Sequence, residues 1–256
     1  MPHLPLLRVV PLESIRRHEE IDPLRVERLV GRIEAEGVQV NPMVCTPADG
    51  GEMILLDGAT RTESLKTLGL EHAVVQVVEP AKVRLQTWHH VVRGCDPAEL
   101  MEAVDLNSEL ILSGEKGAPG IHLKDDGSWL VLGEGISPNA TLSTLVGSYV
   151  GKWRVSRVAD TGMGPWSFPD WSALVEFPTL SLDDVMKAAM TDDLLPAGIT
   201  RFLVEERALL LNAPLDLLAG TEPIEDKQRA LQELIADRAQ DGRVRRYDET
   251  VFILDE

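Results

Sequence analysis

The sequence predicts a mixed protein of the α/β (α+β) class. Three observations predict it. Short apolar runs alternate with helical periods over the first 80 residues. Two further helices and several strand signals follow beyond about residue 180. Hydrophobic residues make up 44 % of the 256, enough for a core. The change in texture divides the chain into 1–80, a compact mixed unit, and 81–256, a second α/β unit.

The elements follow in order. Leu7 to Leu12 is a short apolar run and reads as a strand. Asp22-Pro23 starts a helix, because Asp caps the free amides and Pro suits the first helical position. Val26, Leu29, Val30 and Ile33 then recur at helical spacing, and Gly37 ends the run. Met43 to Thr46 and Met53 to Leu56 are two strands joined by Ala48-Asp49-Gly50-Gly51, strong hairpin chemistry. Asp57-Gly58 opens a helix with Leu65 and Leu68 on one face, stopped by Gly69, and Ala73 to Val78 is the next strand.

From Pro80 to about Thr179 the patterns weaken. Trp88, Trp129, Trp153, Trp166 and Trp171 all fall here, while Gly114 to Gly127 and Gly162 to Pro169 read as loops. Beyond it, Ser181 to Met190 reads as a short helix and Pro196-Ala197-Gly198 as a turn. Arg201 to Val204 and Arg207 to Leu211 suggest a pair of strands. Lys227 to Gln240 is an amphipathic helix bearing Leu231, Leu234 and Ile235, and Thr250 to Leu254 is a final strand.

Charge bounds the function. Twenty-five Lys and Arg against 42 Asp and Glu leave −17. Proteins that grip nucleic acid do so largely by neutralising phosphates, so this balance counts against a nucleic-acid partner. Cys45 and Cys95 have no metal-type spacing and form no disulfide framework. The opening MPHLPLLRVVPLE lacks a signal-peptide pattern, and the uncharged stretch Gly135–Gly151 is too polar to span a bilayer. A cytoplasmic protein without a membrane partner is the expectation. No Walker A, GxGxxG, HExxH or GxSxG pattern is present.

Four segments carry candidate chemistry. Arg17-His18-Glu19-Glu20 precedes the first helix, where a carboxylate serves either as a solvated cap or as a general base. Leu56-Asp57-Gly58-Ala59-Thr60-Arg61 runs from a strand into a helix start. Its free amides, the Thr60 hydroxyl and the Arg61 fork suit phosphate, and Asp57 either holds Mg²⁺ or caps the helix. An ordinary helix start fits the same residues. Gly198-Ile199-Thr200-Arg201 offers amides, a hydroxyl and a guanidinium to a carboxylate, or is merely a loop entering a strand. In Thr87-Trp88-His89-His90 the adjacent histidines point apart, which argues against a shared metal.

Together these pieces resemble a known family. Val10-Pro11-Leu12 with Ile15, His18-Glu19, Asn41-Pro42-Met43-Val44, Leu56 to Arg61 and Leu65-Lys66-Thr67-Leu68-Gly69 resemble a ParB/sulfiredoxin-like mixed-sheet domain. Thr87 to His90, Leu195 to Phe202, Ala213-Pro214-Leu215 with Leu217-Leu218, and the ending from Tyr247 extend the likeness to the free L-serine kinases of staphyloferrin B-type siderophore biosynthesis. The stretch from about 95 to 180 matches poorly. The resemblance implies transfer of the terminal phosphate of ATP or ADP, with Mg²⁺, to the L-serine hydroxyl, giving O-phospho-L-serine for 2,3-diaminopropionate synthesis. It implies Glu19 as the base, and Asp57, Gly58, Ala59, Thr60 and Arg61 around phosphates, with Asp57 on the metal. It implies His18, Trp88, His90, Gly198, Thr200 and Arg201 around the serine, the last three toward its carboxylate. Thr60 stands where the family often has His. The alternatives are a ParB-like nucleotide- or metabolite-sensing DNA-binding module, or a non-catalytic scaffold.

Overall fold

A computed structural model of the chain describes residues 4–124, 127–159 and 165–247, the side chain of Trp166 excepted. The expected strand Thr250–Leu254 lies outside them, as does part of the expected loop Gly162–Pro169.

The first sheet is mixed, as the sequence predicts. Leu6–Pro11 and His72–Val77 pair antiparallel, Met43–Pro47 runs parallel to His72–Val77, and Met53–Asp57 pairs antiparallel with Met43–Pro47. Ile15–Arg16 adds a short parallel edge. The helix Pro23–Glu36 begins as expected: the Asp22 carboxylate accepts from the Leu24 amide and Pro23 stands at the first turn. It packs with the helix Ala59–Thr67 around Ile33, Met43, Cys45, Leu55 and Leu65. Burial pushes the Cys45 thiol up to about 12, so this cysteine is a core residue and not a nucleophile.

A second sheet of six strands among the described residues is antiparallel throughout. Two of its inner strands, His89–Arg93 and Trp171–Glu176, put Val92, Ala173 and Val175 into the larger core. This sheet corrects the weak reading of the middle. Gly120–Leu123 is a strand where a loop is expected, and Pro138–Tyr149 is a helix capped by Ser137. The helix Leu182–Thr191 begins with a capping box at Ser181 and Asp184, close to the expected bounds.

Thr200–Leu203 is a strand, but its partner is Arg84–Thr87. The expected strand Arg207–Leu211 is absent: this stretch is irregular, and Leu210 has a φ of +54°. Its polar backbone is satisfied by side chains instead of a ladder. The Ala208 amide donates to Gln76 Oε1, the Glu206 carbonyl accepts from Gln76 Nε2, and the Leu210 amide donates to Asn41 Oδ1.

The chain then returns to the first sheet. Ala213–Pro214 pairs with Val38–Gln39, and the helix Ile224–Gln240 lies against Leu6–Pro11. Leu231 is buried there beside Val9, Val74, Leu211 and Leu218. The buried Lys227 ammonium donates to the carbonyls of Leu218, Ala219 and Gly220, each at 2.9 Å. No helix among the described residues is long and apolar enough to cross a membrane.

Candidate active site

A cavity of about 420 Å³ opens where four pieces of chain meet. One wall is the end of Met53–Asp57 with the helix start behind it, contributing Asp57, Gly58, Ala59, Thr60 and Arg61. A second is the segment carrying Glu19, joined to Leu195 by a parallel bridge; Glu20 N–H donates to the Leu195 carbonyl at 2.8 Å. A third is the turn at Ala197-Gly198 with Thr200 and Arg201, and a fourth is Arg157 from the edge strand Arg154–Val158.

The helix start has the features that phosphate needs. Gly58 adopts φ +110°, and no side chain caps the turn. A Cβ at Gly58 would sit 2.8 Å from Met43 Cγ, so conformation and packing both demand glycine. The free amides of the first turn and the helix dipole face the cavity with the Thr60 side chain. Arg61 is tied down from behind: Nη1 donates to the carbonyls of Asn41 at 3.1 Å and Pro42 at 3.0 Å. Asp57 Oδ2 accepts from Arg207 Nη1 at 2.6 Å and lies 3.8 Å from Arg61 Nη2.

Glu19 is oriented by a distant peptide. Its Oε2 accepts from the Gly198 amide at 3.0 Å. Gly198 has φ +81°, and a Cβ there would lie 2.0 Å from Arg157 Nη2, so no other residue keeps both this turn and this arginine in place.

Two histidines hold the wall without lining the cavity. His18, 2 % exposed, has Nδ1 at 2.7 Å from the Leu55 carbonyl and Nε2 at 3.0 Å from Thr200 Oγ1. A carbonyl only accepts, so Nδ1 carries the proton. Desolvation lowers the pKa of His18, which keeps the ring neutral, and Nε2 then accepts from the Thr200 hydroxyl. His90, also 2 % exposed, has Nε2 at 3.5 Å from the Gly198 carbonyl and Nδ1 at 2.9 Å from the Tyr149 hydroxyl. Burial is the main cause holding its pKa down at about 4, with Arg157 adding to it. His18 and His90, expected around the serine, do not line this cavity; they contact Thr200 and Gly198, which do. His89 points away from His90, and its Nδ1 accepts from the Phe177 amide.

Trp88 lines the cavity, and the Arg201 guanidinium stacks over its ring at 4.5 Å. Thr200 and Gly198 line it too, but with their protons committed: the Thr200 hydroxyl to His18 and the Gly198 amide to Glu19. Three further arginines face the cavity that sequence reasoning did not single out: Arg25, Arg157 and Arg207. Arg25 follows the expected cap at Asp22 by three positions and was within reach of inspection. Arg157 and Arg207 had no local signal, since each meets the site only through folding.

Fold and cavity thus set an uncapped helix N-terminus, of the kind that suits phosphate, across from a carboxylate held by the Gly198 amide. Comparison with known proteins gives the particular relatives. No family model matches the chain. Over 98 % of its length it is 28 % identical to the ATP-dependent L-serine kinase SbnI of Staphylococcus aureus, covering 97 % of that protein. It is 29 % identical to an ATP-dependent L-serine kinase of Staphylothermus marinus over 34 % of this chain and 35 % of that one. Among solved structures, C-terminally truncated SbnI matches with a TM-score of 0.76 at 27 % identity, over 91 % of this chain and 97 % of that one. A free serine kinase in complex with AMP matches in fold, with a TM-score of 0.70 at 16 % identity, over 83 % of this chain and 93 % of that one. Over nearly its whole length the chain is thus similar to SbnI, and it shares the fold of the free serine kinase.

Proposed function

We propose that the protein is an ATP-dependent kinase of free L-serine that forms O-phospho-L-serine. The observation that carries this reading is one cavity with Glu19 on one wall and the uncapped start Gly58–Arg61 on another. The near full-length relation to a protein named for that reaction supports it.

The chemistry follows from the geometry. Phosphoryl transfer needs positioning and charge stabilisation more than covalent help from the protein. The amides of Ala59, Thr60 and Arg61 hold the phosphate oxygens, and Thr60 adds a hydroxyl where an imidazole would be bulkier. Glu19, with Oε2 held by Gly198, uses Oε1 to take the serine hydroxyl proton. The serine oxygen forms a bond to the terminal phosphorus as the bond to the bridging oxygen breaks, and ADP leaves with that electron pair. Arg61 and Arg207 flank the phosphate end and neutralise its charge.

The donor set fits Mg²⁺. Asp57 Oδ2 is engaged by arginine, while Oδ1 bonds no described residue and is a hard oxygen of the kind Mg²⁺ takes beside phosphates and water. When bound beside Asp57, the ion would supply positive charge against the phosphates. No group of three His, Cys, Asp or Glu suited to a metal occurs among the described residues, which suits an ion that arrives with its nucleotide.

The test is phosphorus NMR of the purified protein with Mg²⁺, L-serine and, in separate tubes, ATP and ADP. A phosphoserine resonance with ATP is the expected result. Phosphoserine from ADP alone would replace the donor, and none from either nucleotide with folded protein would remove the kinase assignment.

A further inference from the structure

The groups expected to bind the substrate carboxylate are largely spoken for. The Gly198 amide donates to Glu19, and the Thr200 hydroxyl donates to His18, so Thr200 offers the cavity only lone pairs. Those lone pairs suit an ammonium group and repel a carboxylate. Arg201 is stacked on Trp88 through its face, which leaves its N–H edges free, so it too stands near enough to meet an anion. Arg157 differs in being seated on the glycine whose amide holds Glu19.

Arg157 lines the same cavity and makes no hydrogen bond or ion pair with any described residue. Its guanidinium lies directly over Gly198, where the missing Cβ would be 2.0 Å from Nη2 and 2.4 Å from Cζ. The glycine that orients Glu19 is thus also the seat of this arginine. Cavity walls crowd it: desolvation is the main cause drawing its pKa below the ordinary value, Arg25 acts in the same direction, and Glu19 opposes them. Two guanidiniums and the base therefore share one neighbourhood, and an anion between the cations relieves their repulsion.

Serine has only two carbons between its hydroxyl and its carboxylate. With the hydroxyl at Glu19, the carboxylate cannot lie far away. The transferred phosphoryl group must lie in line on the other side of the hydroxyl, toward Gly58–Arg61, where Arg61 and Arg207 already stand.

We infer that Arg157 is the residue that reads the α-carboxylate of the amino-acid substrate, and that it sets specificity for a free amino acid over a neutral amino alcohol or amide. This inference rests on the L-serine kinase reading and deepens it. Arg157 sits on an edge strand within the middle of the chain, where the resemblance to the kinase family is poorest.

The test compares L-serine with L-serinamide, which replaces the carboxylate by a neutral amide, in wild type, Arg157→Gln and Arg157→Lys. Calorimetric binding is measured with a non-hydrolysable ATP analogue and Mg²⁺, and phosphoserine formation is followed in the same preparations. Arg157→Gln should weaken L-serine about 10- to 100-fold, leave nucleotide affinity unchanged and abolish most of the preference over L-serinamide. Arg157→Lys should fall between, because it keeps the charge and loses the fork. Unchanged L-serine binding in Arg157→Gln, or equal loss for both ligands, would overturn the assignment; so would a fall in kcat with the L-serine KM untouched, which would place Arg157 on the phosphoryl group. Because binding is read separately from turnover, a wild type that binds L-serine without phosphorylating it would reject the kinase reading while still judging Arg157.

Discussion

At the scale of single residues, the site depends on bonds between distant positions. Glu19 and the Gly198 amide are 179 positions apart. Glu19→Gln keeps the shape and the bond from Gly198 but removes the basic oxygen. Its expected effect is a loss of about 10²–10⁴ in kcat with little change in the L-serine KM, read from initial rates. Full activity in this variant would exclude Glu19 as the base. His90 gives a second prediction. A folded-state pKa of about 4 against an ordinary 6.5 means that the folded protein binds fewer protons between these values. Stability is then lost as pH falls below about 6.5, by about 2 kcal/mol between pH 7 and pH 5. Desolvation lowers the pKa of His18 too, which acts in the same direction. Urea unfolding at the two pH values should show a smaller drop for His90→Gln than for wild type. Equal drops would place the effect elsewhere.

Among elements, those with their own punctuation were legible. The helix Pro23–Glu36 is announced by Asp22-Pro23 and closed at Gly37, and the helix Leu182–Thr191 by Ser181 with Asp184. The strands of the second sheet were not, because each becomes a strand by pairing with chain far away: Gly120–Leu123 is held between Ser128–Gly133 and Trp171–Glu176. Arg207–Leu211 fails in the opposite direction. Its Leu-rich run reads as a strand, yet Gln76 and Asn41 satisfy its backbone with side chains. The helix Ala59–Thr67 yields the prediction proper to this scale. Gly58→Ala forces a Cβ into a left-handed conformation and against Met43. It should cost roughly 1–2 kcal/mol for the backbone alone and weaken nucleotide binding further by displacing the first turn. Nucleotide affinity equal to wild type by calorimetry would mean that this helix start does not hold the phosphates.

For the whole molecule, two features matter. A chain of net charge −17 gathers Arg25, Arg61, Arg157, Arg201 and Arg207 around one cavity. Local cations among low-dielectric walls attract an anionic ligand despite the global sign. The chain also closes on itself: the helix Ile224–Gln240 covers the first sheet, with Leu231 fully buried on Val9 and Val74. Leu231→Ala should therefore destabilise the first sheet by about 2–5 kcal/mol, read from the urea midpoint. A loss below about 0.5 kcal/mol, the range of an ordinary surface change, would mean that this helix is not part of the core.

The sequence by itself determined what local chemistry decides: the helix starts and stops, the hairpin at Ala48–Gly51, the Asp-Gly helix start and a carboxylate at Glu19. Each follows from a few adjacent residues whose φ preferences and capping bonds are settled within one turn. Only the tertiary structure decided which residues line the cavity. The bridge between Glu19 and Leu195 brought Gly198 to Glu19, and folding turned His18 and His90 behind the wall, committed the Thr200 proton and aimed Arg157 into the cavity. Those placements depend on contacts between positions far apart in the chain, 182 for His18 and Thr200, whose energy is collective burial and whose pattern no short stretch of sequence contains.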